Sequence, residues 1–141
     1  MDIFVFLFSL FLIILGMGIL RNWKTTEFKE LNYSIIIACR NEEKNLPKLF
    51  SSLINLDYPM EKFEIIIVDD ASTDNSPNMI KAFCEEKQNA KSFQLIEKSK
   101  EYLGKKAALK LAVENAKFEI LLFTDADCFQ KKDWIWCNRY N

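Results

Sequence analysis

Four short apolar runs, each followed or preceded by a helical pattern, constrain this chain more than any other feature. Tyr33-Ser-Ile-Ile-Ile-Ala38 is β-branched and continuous rather than alternating, which predicts a strand buried on both faces. Phe63-Glu-Ile-Ile-Ile-Val68, Phe93-Gln-Leu-Ile96 and Phe118-Glu-Ile-Leu-Leu-Phe123 read as three further strands. Between the first two, Leu46, Leu49, Phe50, Leu53 and Ile54 recur at helical spacing, with Asn45 as N-cap, Pro47 in the first turn and Asp57-Tyr-Pro59 as a stop. Ser76-Pro77 opens a second helix with Met79, Ile80, Phe83 and Cys84 inward; Asp74, Asn75 and Ser76 are expected to cap it. Lys105 to Ala116 predicts a third helix facing inward through Leu109, Ala112, Val113 and Ala116. Strand and helix in strict alternation imply right-handed crossovers and an α/β fold with a mostly parallel sheet, helices on both faces. Ligands of such sheets bind outside the carboxyl ends of the strands.

Two compositional features narrow the chemistry. The chain has no histidine, which excludes Ser-His-Asp triads, His-based zinc sites and imidazole acid–base work. Beyond residue 20 it has a single glycine, Gly104, too few for a Walker loop or a Gly-x-Gly-x-x-Gly turn. A phosphate-handling protein of this composition must neutralise charge with lysines or with a metal held by carboxylates. All 19 basic residues and 19 of the 20 acids follow position 20, so that part is neutral, and no basic stripe with aromatics points to nucleic acid. Cys39, Cys84, Cys128 and Cys137 form no Cys-x-x-Cys pair and read as reduced, mostly buried small hydrophobes. A thiolate at Cys128 would be disfavoured by the acids beside it.

Ile3 to Leu20 is an 18-residue uncharged stretch, enough as a helix for about 27 Å of bilayer. Asp2 precedes it, no Ala-x-Ala-like cleavage site follows, and Arg21, Lys24 and Lys29 flank its far side. The expectation is therefore an uncleaved single-pass anchor over residues 1–21, a linker over 22–32, and a cytoplasmic domain from 33 to 141 at the cell membrane.

Polar clusters fall at three strand ends: Arg40-Asn-Glu-Glu43, Asp69-Asp70 with Ser72, Thr73 and Asp74, and Asp125-Ala-Asp127. Any one of them could be a capped loop. Several carboxylates converging on one sheet edge repel each other and call for a cation or a hydrogen-bonding ligand. An Asp-x-Asp pair offers hard oxygens suited to Mg2+ or Mn2+, which can bridge nucleotide phosphates and stabilise a departing diphosphate. Its place about 55 residues beyond a Val-Asp-Asp is more telling than the pair itself.

At this point the sequence resembles a known family. Tyr33 to Leu46 is similar to the opening strand and loop of family 2 glycosyltransferases. Asp57-Tyr-Pro with Phe63 to Asp74, Gly104-Lys-Lys-Ala-Ala-Leu109 and Phe123-Thr-Asp-Ala-Asp127 resemble their later signatures in order and spacing, over residues 33 to about 136. The resemblance implies a Rossmann-like GT-A fold and a nucleotide-diphosphate-sugar donor, most often a UDP-sugar, used in transfer to an acceptor hydroxyl, as in cell-envelope polysaccharide synthesis. It implies that Asp70 accepts a hydrogen bond from the uracil imide, that Ala38 and Arg40 flank the base, and that Glu42 supports their loop. Lys105 would lie near the base or diphosphate, Asp125 would face the ribose or metal, and Asp127 would be the principal metal ligand. The resemblance names neither the sugar nor the acceptor, lipid or glycan.

Three positions depart from the family pattern: Lys110 stands where Asn is frequent, Phe118 where Gly is common, and Gln130 where Pro often follows. The family's catalytic Asp lies well downstream of the metal motif, and Asp133 is too near that motif to serve. The expectation is a C-terminally incomplete domain with a donor site and no catalytic base, so that a membrane-tethered nucleotide-binding remnant is the alternative to a working transferase. A signalling receiver domain would place its acidic pair after the first strand and its Lys last. A haloacid-dehalogenase-type phosphatase needs Asp-x-Asp-x-Thr/Val, whereas this chain has Asp125-Ala-Asp-Cys-Phe129.

Overall fold

The computed structural model describes residues 31–95 and 104–138, together with Phe8. Its elements are β1 (Tyr33–Cys39), α1 (Leu46–Ile54), a single 3-10 turn (Met60–Lys62), β2 (Phe63–Asp69), α2 (Ser76–Glu86), β3 (Ala90–Gln94), α3 (Lys105–Glu114), β4 (Ile120–Asp125) and the short α4 (Trp134–Cys137). The four strands form one parallel sheet in the order β3-β2-β1-β4. The expected anchor over residues 1–21, and the linker as far as residue 30, lie outside the described residues. Among the described residues no helix is long and apolar enough to cross a membrane.

The central strands are continuous in apolar sequence because both their faces are covered. Ile35, Ile37, Ile65 and Ile67 point to one side, where Leu46, Leu49 and Leu53 of α1, Ile80 and Phe83 of α2, and Ile135 of α4 pack on them. Ile36, Ile66 and Val68 point to the other side, against Ala108 and Ala112 of α3. These alanines, four residues apart on one helical face, let α3 sit close to the sheet. The expected face holds in three of its four residues, Ala112 buried and Leu109 and Ala116 packed at its margin, whereas Val113 is 41% exposed and Ala107 and Ala108 are buried in addition. The inward face of α2 matches the sequence reading, with Ile80 and Phe83 buried and Met79 and Cys84 packed at its margin.

The outer strands are displaced from their expected bounds. β3 begins at Ala90 rather than Phe93, because Ala90 to Gln94 pair with Ile65 to Asp69 of β2, and only Ala90 of that strand is fully buried. Ile96 lies outside the described residues. β4 runs from Ile120 to Asp125 instead of Phe118 to Phe123, and α3 ends at Glu114, two residues early. The cause is a buried polar knot at the amino ends of the strands. Glu64 is 4% exposed; its carboxylate accepts from Ser34 Oγ at 2.7 Å, from Lys91 Nζ at 3.0 Å and from the backbone N–H of Lys117, while Phe118 N–H donates to Ser34 Oγ at 3.1 Å. The knot captures residues 117 and 118, so they cannot join the ladder. Burial alone would raise the Glu64 pKa, but the donors from Ser34, Lys117 and Lys91 hold it below the ordinary carboxylate value.

Candidate functional site

Strand order fixes where a cleft can form. From β1 the chain winds outward through β2 to β3, then crosses back to place β4 on the opposite side of β1. The strand order therefore reverses between β1 and β4, and the carboxyl ends of strands at such a reversal are where an open α/β sheet leaves a crevice. A cleft of about 320 Å³ opens there, within the usual size of small-ligand sites, roughly 300–1,000 Å³. Ala38, Arg40, Glu42, Asp70, Lys105, Asp125 and Asp127 all line it, joined by Cys39 and Ala126. The structure thus brings together the seven residues to which the resemblance gives a part in the donor site, while Asp69, Asp74 and Asp133 do not line the cleft. Larger hollows lie at the amino ends of the strands, around Glu64 and Lys91, and beside β4, around Phe123 and Phe129. The first is organised by a carboxylate whose partners are internal, and the second has no converging charges of comparable density.

Two walls of the cleft are loops tied to each other. Beyond the strands, Asp70 N–H donates to Cys39 O at 2.8 Å, extending the β1–β2 ladder. Asn41 N–H donates to Ser72 Oγ, Thr73 N–H to Asn41 Oδ1, Glu42 N–H to Ser76 Oγ, Glu43 N–H to Asp74 Oδ2, and Asn75 N–H to Glu43 Oε2. Five side-chain-to-backbone bonds thus lace the loop after β1 to the loop after β2. The expected capping roles change accordingly. Asn45 and Asn75 stand at the helix starts, but neither side chain caps its helix; Asn45 Nδ2 donates to Glu42 Oε2 at 2.7 Å instead. Asp74 does serve α2, accepting from Ser76 N–H at 3.0 Å, and also ties the facing loop. The lacing was missed in the sequence, where only the Ser, Thr, Asn and Asp density of both loops signalled it.

Asp70 sits at the base of the cleft, 8% exposed, with Arg40 Nη1 at 3.7 Å from its Oδ2. Gly104 lies against it: a methyl at the Gly104 Cβ position would stand 3.8 Å from Asp70 Oδ2. Its φ of +79° and ψ of −155° belong to a region open to glycine and strained for other residues. Directly after it, Lys105 Nζ donates to Asp125 Oδ1 across the cleft. Asp127, exposed in the turn after β4, accepts from Cys128 Sγ at 3.6 Å. Asp69, neighbour of Asp70, is 2% exposed and does not line the cleft; its Oδ2 accepts from Ser72 N–H and from Gln94 Nε2. Cys39 is buried beside it, and its thiol is pushed up to about 12 by burial first and then by the charges of Asp69 and Glu42. The cysteines are all free, yet Cys128 and Cys137 are exposed, against the expectation of mostly buried thiols.

Glycosyl transferase family 2 matches residues 34–135. The chain belongs to that family. It is 32% identical over 105 residues to the poly(ribitol-phosphate) beta-N-acetylglucosaminyltransferase TarS of Staphylococcus aureus, covering 74% of this chain and 18% of TarS. The crystal structure of TarS 1-349 in complex with UDP-GlcNAc superposes with a TM-score of 0.66 and 31% identity, over 78% of this chain and 30% of that one. A mannosyltransferase from Pyrobaculum calidifontis, in complex with GDP-Man and Mn2+, superposes with a TM-score of 0.67 and 28% identity, over 75% of this chain and 30% of that one. The chain therefore spans about a fifth of the length of TarS and under a third of these solved chains. Its parallel sheet with helices on both faces matches their GT-A-like fold.

Proposed function

We propose that this chain binds a nucleotide-diphosphate sugar, a UDP-sugar in particular, for metal-assisted transfer to an acceptor hydroxyl. The observation that carries the reading is the convergence of Asp70, Arg40, Lys105, Asp125 and Asp127 on one cleft at the switch point of a family 2 sheet. Asp70 is an acceptor-only group at the cleft base, which suits an imide N–H of the base. Ala38 and Arg40 flank that position, and Glu42 holds their loop through Asn45. Lys105 supplies positive charge for the diphosphate. Among the described residues no group of three or more acidic or sulfur side chains could cage a metal. The hard oxygens of Asp125 and Asp127 nonetheless fit Mg2+ or Mn2+, which commonly takes one or two carboxylates and completes its shell with phosphate oxygens and water. Bound there, the ion would offset the charge of a departing diphosphate.

Transfer also needs a base within reach of the acceptor hydroxyl. Asp133, the only side-chain carboxylate after Asp127, stands at the start of the four-residue α4, where it accepts from Cys137 Sγ rather than capping the helix, and does not line the cleft. This favours donor binding with negligible turnover by the 141-residue chain. The uncharged run Ile3–Leu20 supports a single-pass cell-membrane anchor with the domain on the cytoplasmic side. Titration with UDP tests the donor reading: binding should be measurable with Mn2+ and much weaker with a chelator. Asp127→Ala should abolish the metal effect. Asp70→Ala should weaken UDP roughly 10- to 100-fold even without metal, the loss of a hydrogen bond to a charged acceptor. Parent-like UDP binding by both variants would overturn the site assignment.

A further inference from the structure

The two cations of the cleft differ in what they touch. Arg40 stands 3.7 Å from Asp70, at the base end. Lys105 stands on Asp125, at the metal end, bridging the first residue of α3 to the last residue of β4. Both of its anchor points are set by backbone: Gly104 O accepts from Ala107 N–H to start the helix, and Asp125 is in register with Ala38 of β1. The Lys105 and Asp125 side chains are 59% and 54% exposed, so the pair adds little to stability and is easily parted. An ion pair this weak is a poor structural device. It is better placed as a movable one.

We propose that Lys105 couples metal binding to nucleotide binding by exchanging partners. This rests on the donor reading given above. Asp125 is one of the two carboxylates assigned above to a divalent ion, and an ammonium bonded to Oδ1 competes with that ion for the same oxygen while repelling it. A diphosphate in the cleft gives Lys105 a second anion to pair with. The ammonium then leaves Asp125 to the metal, and the two ligands favour each other. Because the coupling is a property of equilibria, it is reciprocal: metal raises nucleotide affinity by the factor by which nucleotide raises metal affinity. Without Lys105, the metal would meet an unopposed Asp125, and UDP would lose a partner.

The test is Mn2+ binding to the full chain, read from the electron paramagnetic resonance signal of free Mn2+, with and without UDP. For Lys105→Met, Mn2+ alone should bind about two- to fivefold more tightly than to the parent, the range set by an exposed ion pair. The enhancement of Mn2+ affinity by UDP should shrink by a similar factor. Lys105→Gln should repeat both changes, which guards against a folding defect peculiar to one variant, and Lys105→Arg should retain the parent behaviour. If the parent binds UDP while Mn2+ affinity without nucleotide is unchanged or lower in both neutral variants, the coupling is overturned and the donor reading stands. If the parent fails to bind UDP with or without Mn2+, the donor reading falls and the coupling with it.

Discussion

Glu64 provides the sharpest test of the physics that holds the cleft in place from the far end of the sheet. In Glu64→Gln the side chain keeps one oxygen for Ser34 Oγ and Lys117 N–H, but both bonds lose their charge assistance and the amide NH2 faces Lys91. A bond to a charged acceptor contributes about 1.5–3 kcal/mol against about 0.5–1.5 for a neutral one. The Lys91 pair, half exposed on the lysine side, adds under about 1 kcal/mol after screening. The expected loss is about 2–3 kcal/mol, read as a shifted urea midpoint at pH 7 with an unchanged slope. The sign with pH follows from the lowered carboxyl pKa of the folded state. Its stabilisation is fully present above the ordinary value of 4.5 and is lost as pH falls through the folded value. The gap between Glu64→Gln and the parent should therefore narrow below about pH 4.5. A midpoint within about 0.5 kcal/mol of the parent at pH 7, the scatter of ordinary surface changes, would refute the knot as a stabilising element. So would a gap that stays constant down to pH 3.

Gly104→Ala should cost about 1–3 kcal/mol through backbone strain rather than contact, since its Cβ finds ordinary space beside Asp70; an unchanged urea midpoint would remove the strain argument. With a thiol reagent at pH 8, exposed Cys128 should react at once and buried Cys39, its thiol pushed up to about 12, only on unfolding; equal rates would refute the burial assigned to Cys39. Protease added outside sealed spheroplasts should leave the domain intact, and digestion there would sink the cytoplasmic topology. Robust sugar transfer by the isolated chain, abolished by Asp133→Asn with UDP binding unchanged, would show that Asp133 is the base after all.

What was legible in the sequence was the part that local pattern encodes. β1 and β2 are central, so their runs are apolar on both faces, and each observed strand overruns its expected end by one residue, Cys39 and Asp69. The edge strands are not central. β3 carries Lys91, Ser92 and Gln94 among its five residues, so its apolar signal begins late. β4 was shifted by hydrogen bonds from residues 117 and 118 to Glu64 and Ser34, which lie 53 and 84 positions away and leave no periodic trace. On the inward face of α3, Leu109, Ala112 and Ala116 hold, but Ala107 and Ala108 went unnamed and Val113 was wrongly included, because alanine carries little hydrophobic weight although its small size lets that helix approach the sheet. The place of the cleft was legible because in a parallel α/β sheet the strand ends border it, as Ala38, Arg40, Asp70 and Asp125 do, whereas Lys105, at the start of α3, was named only through the resemblance to the family. The lacing between the two loops was not, because its partners are more than thirty residues apart in the chain and half of each bond is backbone.

The two ends of the sheet divide the labour of the domain. At the amino ends, a buried carboxylate satisfied by three donors locks β1, β2, β3 and the turn before β4 into one unit. At the carboxyl ends, the described residues with positive φ collect: Asn41 at 56°, Ala71 at 51° and Gly104 at 79°. Asn tolerates the left-handed region through local hydrogen bonding, and glycine through the lack of a Cβ, but for Ala71 the conformation costs about 1 kcal/mol. That cost is borne directly after Asp70, in the loop whose next two residues, Ser72 and Thr73, are held by Asn41. The bonds between the loops offset the strain and fix the direction in which Asp70 leaves β2. A polar site built from short loops needs such tight reversals, and tight reversals need a frame that does not yield. The knot around Glu64 adds stability from the end of the sheet where no ligand is expected, while the bonds between the two loops set the site itself, so loss of the knot should lower stability and leave UDP affinity of the folded protein unchanged.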